Sequence, residues 1–174
     1  IKNQLVANKI KNVSSVLYSH EHSDQTNGLF ELRPFAFDKK SNIKINWWKN
    51  TKRINVYGNV KTINLLKKRF DYCFKDTSAY PSIVKANLIK KNFSLGHSKE
   101  KIFFKTLLLK HGSVKSLAYI FEKTAYISDC NDLSIINIQA LKKLKYLIID
   151  CLKLKKNFAH FNLKQSLYVH DHLK

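Results

Sequence analysis

Residues 18–28 read YSHEHSDQTNG and place His20, His22 and Asp24 at alternate positions. The stretch follows VSSVLYS (13–19), a β-branched and apolar run that reads as a buried strand. The strand would deliver His20 at its C-terminal end, where α/β sheets tend to place ligands. Histidines two apart in a loop can both turn toward one cation, and an aspartate two residues on can reach the same ion or one beside it. Taken alone, the pattern is equally that of a polar surface turn.

Working outward, other polar residues occupy similar places. LLLKHGS puts His111 just past an apolar run, AYISDCND puts Asp129 past another, and KNFAHFN puts His160 in a loop before a helix start. Each can therefore sit on one rim of a sheet. Imidazoles and carboxylates in this ratio suit zinc, or manganese and iron if oxygens dominate.

The remaining elements follow from periodicity and breakers. Residues 1–10 read as a short helix, and a second helix near 28–33 should stop at Pro34. RINVYGN (53–59) reads as a strand. In the helix expected over 60–70, Val60, Ile63, Leu66 and Phe70 form one apolar stripe. Strands are expected at 83–89, 101–109, 116–121 and 124–128. The run KIFFKTLLL (101–109) is apolar on both faces, which predicts cover on both sides. A helix is expected over 134–144, with Asp132 or Ser134 as N-cap, then a buried strand over 145–151. A closing helix follows over 162–173, with Asn162 and Gln165 at capping-box spacing. Strands in the middle flanked by helices predict a layered α/β architecture in a single domain, 1–174.

Composition narrows the classes. The chain of 174 residues carries a formal charge of +20, with 44% hydrophobic residues. The lysines are scattered rather than clustered, so nucleic acid is an open partner but not the favoured one. No run approaches the roughly 18 to 20 apolar residues of a membrane span. Cys73, Cys130 and Cys151 are odd in number and widely spaced, which suggests neither a disulfide framework nor a zinc ribbon and fits a cytoplasmic setting. Cys130 and Cys151 both read as packing residues. The chain starts at Ile1 and has no methionine, so it is expected to be part of a longer protein.

The segments LYSHEHSDQTNGLFELRPF, RFDYCF, LKHGSVKSLAYIFEKTAYISDCNDL and LIIDCLKLKKNFAHFNLKQSL carry a resemblance along nearly the whole chain. The chain resembles the metallo-β-lactamase fold hydrolases, and within them the branch that includes the phosphoribosyl cyclic phosphate phosphodiesterases. The resemblance implies an αββα sandwich, here expected to lack the first strands and the last strand and helix. It implies that His20, His22 and His111 hold a first metal, that Asp129 bridges two metals and that Asp24 serves the second. His160 then resembles a histidine outside the ligand set that transfers a proton, so His160 and Asp24 are the expected catalytic residues. The cofactor implied is one or two ions of zinc, manganese or iron. The activity implied is hydrolysis of a small cyclic or nucleotide-like phosphodiester by metal-bound hydroxide.

Two departures accompany the resemblance. Gln25 stands where the family usually has a histidine, and the family's later ligand histidine lies on a strand this chain does not reach. His170 and His172 would not replace it: two residues apart on a helix, they point about 200° away from each other. Two alternatives stay open, an RNA-processing nuclease similar to the transfer-RNA 3′-end enzymes and a non-catalytic remnant. A second copy of the chain, in a homodimer, is a further open partner. Asp150, at a strand end, is expected either to orient a ligand histidine or to cap the strand. Arg33 is expected to meet a phosphate or form a salt bridge.

Overall fold

The computed structural model describes residues 1–37, 51–78, 80–133 and 135–173. It divides into two compact units, 1–89 and 90–174.

The first unit is built on a parallel sheet of β1 (Ser15–Leu17), β2 (Ile54–Gly58) and β3 (Val84–Leu88), in that order. Parallel neighbours need crossovers, and helices supply them. The short helices α2 (Ser23–Thr26) and α3 (Arg33–Ala36) lie between β1 and β2. The helices α4 (Val60–Arg69) and α5 (Asp71–Phe74) lie between β2 and β3. A six-residue helix, α1 (Lys2–Ala7), precedes them. The strand β2 alternates in burial, with Ile54 and Val56 turned onto the core that Ile63, Leu66, Leu29 and Leu32 complete.

The helix α4 starts where its capping residue dictates. The Asn59 side chain accepts the backbone N–H of Thr62 at 2.8 Å, satisfying one orphan donor of the first turn. Of the predicted stripe, Ile63 and Leu66 are buried and Phe70 is partly so, but Val60 is 58% exposed, at the helix's first position. Pro34 does not stop a helix. A 3-10 turn over Phe30–Leu32 runs into α3, and Pro34 occupies its first turn, where a missing N–H leaves nothing unpaired.

The second unit is a five-stranded sheet in the order β4-β5-β6-β7-β8. Its strands are β4 (Asn92–Leu95), β5 (Ile102–His111), β6 (Val114–Phe121), β7 (Thr124–Ile127) and β8 (Tyr146–Ile149). The first four pair antiparallel, and β8 joins β7 in parallel after α6 (Ile135–Ala140). The strands β5, β7 and β8 therefore run the same way, so their C-terminal ends share one edge of the sheet. The closing helix α7 (Leu163–Asp171) begins with the expected capping box: Asn162 accepts from the Gln165 backbone, and Gln165 accepts from the Asn162 backbone. Leu107, Leu109, Ala118, Ala125 and Ile127 form the core with Leu141, Phe161 and Val169.

The apolar runs of this sheet are not covered on both faces. Leu108 is 55% exposed in β5, and Tyr146 is 56% and Ile148 53% exposed in β8. The helical core takes the alternate residues, Leu107 and Leu109 in β5 and Leu147 and Ile149 in β8, so the period of two decides burial where composition suggested a buried run. The elements β4, α2 and α5 are additional to the expected set. Ser134, one of the two expected caps of α6, lies outside the described residues. No helix among the described residues is long and apolar enough to cross a membrane.

Candidate functional site

In the first unit, the chain leaves β1, bends at Ser19 and reaches α2 through His20–His22. His20 is fully buried, and its Nδ1 shares a hydrogen bond with Ser19 Oγ at 3.0 Å. His22 caps α2 in extended geometry, and its carbonyl accepts from Thr26 Oγ1 at 2.9 Å. The two rings meet edge to face with centroids 4.6 Å apart. Asp24 is exposed in the first turn of α2. Burial works to raise its carboxyl, but the Gln25 amide, its own backbone N–H, and His20 and His22 outweigh this and hold it below the ordinary range. Gln25, the departure from the expected histidine, donates from Nε2 to Asp24 Oδ2 at 3.1 Å.

Glu21 is buried at 4% exposure. Lys61 Nζ lies 2.6 Å from its Oε1, and Arg69 Nη1 donates to its carbonyl oxygen at 2.6 Å. Burial would raise the Glu21 carboxyl, but chiefly the Lys61 ammonium brings it below its ordinary value. This residue carried no signal in the sequence beyond its place between two histidines.

In the second unit, topology gathers the predicted residues on one edge of the sheet. His111 ends β5, Asp129 follows β7 by two residues and Asp150 follows β8 directly. His111 is 2% exposed, and its Nδ1 donates to the carbonyl of Ala159 at 2.7 Å. A carbonyl can only accept, so the ring must be protonated at Nδ1. Its other nitrogen, Nε2, faces Asp129 Oδ2 at 3.5 Å. An imidazole lone pair and a carboxylate facing each other at low exposure repel unless a cation or proton lies between them. That arrangement, with a backbone oxygen fixing the tautomer, is the one a metal-ligating histidine requires.

His160 packs edge to face on His111, centroids 4.7 Å apart, and its Nδ1 bonds Asp150 Oδ2 at 2.9 Å. Asp150 therefore orients the histidine expected to move a proton, rather than a ligand. Its Oδ2 also accepts the backbone N–H of Cys130 at 3.0 Å. Two asparagines complete the loop and were not singled out in the sequence. Asn157 Oδ1 accepts from the backbone N–H groups of Ala159 and His160, an Asx turn. Asn131 accepts from Gly112 N and donates to the Phe158 carbonyl, joining the turn after His111 to the His160 loop. Gly112 has φ +56, and a Cβ there would meet the Phe158 ring at 3.0 Å, so a larger residue would be strained.

Arg33 stacks over the Tyr80 and Phe37 rings, with centroids at 4.8 and 5.5 Å, and among the described residues no ion pair of Arg33 with an acidic side chain is seen. Cys130 is buried as expected, but Cys151 is exposed: it follows the strand end where the chain leaves the core. His97, His170 and His172 are exposed.

The family model for the beta-lactamase superfamily domain matches residues 2–174. This chain belongs to that superfamily. As a superfamily member it has the metallo-β-lactamase fold, and solved structures agree. It is similar to a new diphosphatase from the PhnP family, with TM-score 0.80 and 23% identity, covering 99% of this chain and 61% of that one. It is also similar to the short form of human tRNase Z, with TM-score 0.62 and 13% identity, covering 99% of this chain and 73% of that one. A curated relative from Porphyromonas gingivalis, described as an octanoyltransferase, is 23% identical over 159 residues, which are 91% of this chain and 30% of the relative. The chain thus spans under a third of that relative and about three fifths of the diphosphatase.

Proposed function

We propose that the chain is the metal-binding part of a hydrolase that cleaves a small phosphodiester. The ligands are His20, His22, His111 and Asp129, and the ion is zinc, or manganese or iron. The donor set fits such an ion: three imidazoles and a carboxylate, mostly buried, with the tautomer of one fixed by a carbonyl. Asp24 serves a second, weaker ion, because the neighbouring Gln25 spends its amide on the Asp24 carboxylate instead of supplying an imidazole. When bound, the metal supplies Lewis-acid polarisation of the phosphoryl group and activation of water.

The observation that carries the reading is the His160–Asp150 pair at 2.9 Å, beside His111. Asp150 fixes the ring with Nδ1 as the donor and compensates the charge when the ring takes a second proton. Nε2 is then the atom that gives a proton to the leaving oxygen. The Asx turn of Asn157 and the capping box of α7 hold His160 from both sides along the chain. The description of the structural neighbour as a diphosphatase supports phosphate chemistry here.

The test is His160→Ala in the intact protein, assayed with a phosphodiester whose leaving group is a poorly acidic alcohol. General acid groups contribute about 10²–10⁴-fold. Turnover should fall by that order with metal content unchanged. Unchanged turnover on such a substrate would end the assignment.

A further inference from the structure

The residue between the two histidines of the first unit has a role of its own. Burying a carboxylate in a loop is costly unless it is well paired, yet Glu21 is 4% exposed. The helix α4 holds it twice. Lys61, in the first turn, reaches the carboxylate at 2.6 Å, and Arg69, the last residue, reaches the carbonyl oxygen at 2.6 Å. Those two positions are about 12 Å apart along the helix, at about 1.5 Å per residue. The helix thus grips one residue from both ends, with Thr62 Oγ1 adding a longer contact to Oε2 at 3.4 Å.

We infer that Glu21, clamped by Lys61 and Arg69, is a positioning residue that sets the spacing and aim of the His20 and His22 rings toward their metal. This rests on the reading of His20 and His22 as ligands. The Glu21 carbonyl lies in the peptide plane shared with His22, so anchoring it together with the side chain restrains the backbone between the two imidazoles. Releasing the clamp leaves both ligands in place chemically but costs the order that metal binding otherwise has to impose. Groups that orient metal ligands typically change affinity by about 10–100-fold.

The experiment is titration of the intact metal-free protein with Co²⁺, followed by its visible ligand-field spectrum, and competition with a chelator for Zn²⁺ affinity. The variants are Lys61→Met, Glu21→Gln, Lys61→Arg and His20→Ala. Lys61 has a side chain 62% exposed, so its replacement spares the core. Lys61→Met and Glu21→Gln should weaken Zn²⁺ binding about tenfold or more and alter the Co²⁺ spectrum; Lys61→Met should also lower the unfolding temperature of the metal-free protein, because it leaves the Glu21 carboxylate buried without its cation, whereas Glu21→Gln removes that charge. Lys61→Arg, which restores a cation, should recover both. If Lys61→Met binds as wild type with an unchanged spectrum while His20→Ala loses binding, the clamp is overturned and the ligand reading stands. If His20→Ala also binds as wild type, the ligand reading itself falls.

Discussion

Asp150 shows how much one side chain can organise. Its Oδ2 accepts from the Cys130 backbone and bonds His160, while its own carbonyl accepts from Ser166 Oγ at 2.6 Å. Replacing Asp150 with Ala leaves a buried N–H without an acceptor, a loss of about 1–3 kcal/mol. Urea unfolding of the metal-free protein should register this cost, and Asp150→Asn, which keeps an acceptor oxygen, should register less. A cost no larger than that of an exposed-residue control would mean the bond adds nothing. At this scale the sequence was only half legible. Placement of His111, Asp129 and His160 at element ends could be read, because strand ends are where apolar runs stop. Which histidine Asp150 serves could not, since the answer depends on a loop folding back ten residues later. Glu21 was invisible for the same reason: its partners lie on α4, some forty residues on.

At the scale of elements, the capping box of α7 was the most legible feature because it is local. Asn162 precedes α7 by one residue and accepts the expected backbone N–H; Asn59, not singled out in the sequence, does the same for α4. Asn59→Ala should destabilise the protein by about 0.5–2 kcal/mol. Because α4 carries Lys61 and Arg69, it should also weaken Zn²⁺ binding; stability loss with unchanged affinity would detach α4 from the metal. The turn before β3 rests on Asp76. The Ser82 backbone N–H and hydroxyl, followed by Arg53, hold its carboxyl below the ordinary aspartate value. A depressed folded-state value means the contribution is complete above the unfolded value, about 3.9, and is lost as pH falls through the folded one. The stability difference between wild type and Asp76→Asn should therefore be largest near neutral pH and shrink below about pH 4. A difference that grows in acid would refute the assignment. Burial of strands was the least legible feature: β8 and residues 107–110 of β5 look apolar or mixed, yet they alternate in burial, because the core of that unit takes one face of the sheet.

Over the whole molecule, the order of the motifs carried the fold, and the superfamily match over residues 2–174 bears that out. Burial adds a check on the described structure as a unit. Cys73 and Cys130 are buried and Cys151 is exposed, so a thiol reagent should label one cysteine per native chain and three after unfolding. Rapid labelling of Cys130 without denaturant would contradict the packing of the second unit. The central claim is that His20, His22, His111 and Asp129 hold one ion tightly. Its most direct test is Zn²⁺ stoichiometry and affinity, by elemental analysis and chelator competition, for wild type and the four single Ala variants. The account predicts one tightly bound ion per wild-type chain and loss of tight binding in each variant. Tight binding that survives all four substitutions, or a wild-type protein that binds no metal, would contradict it.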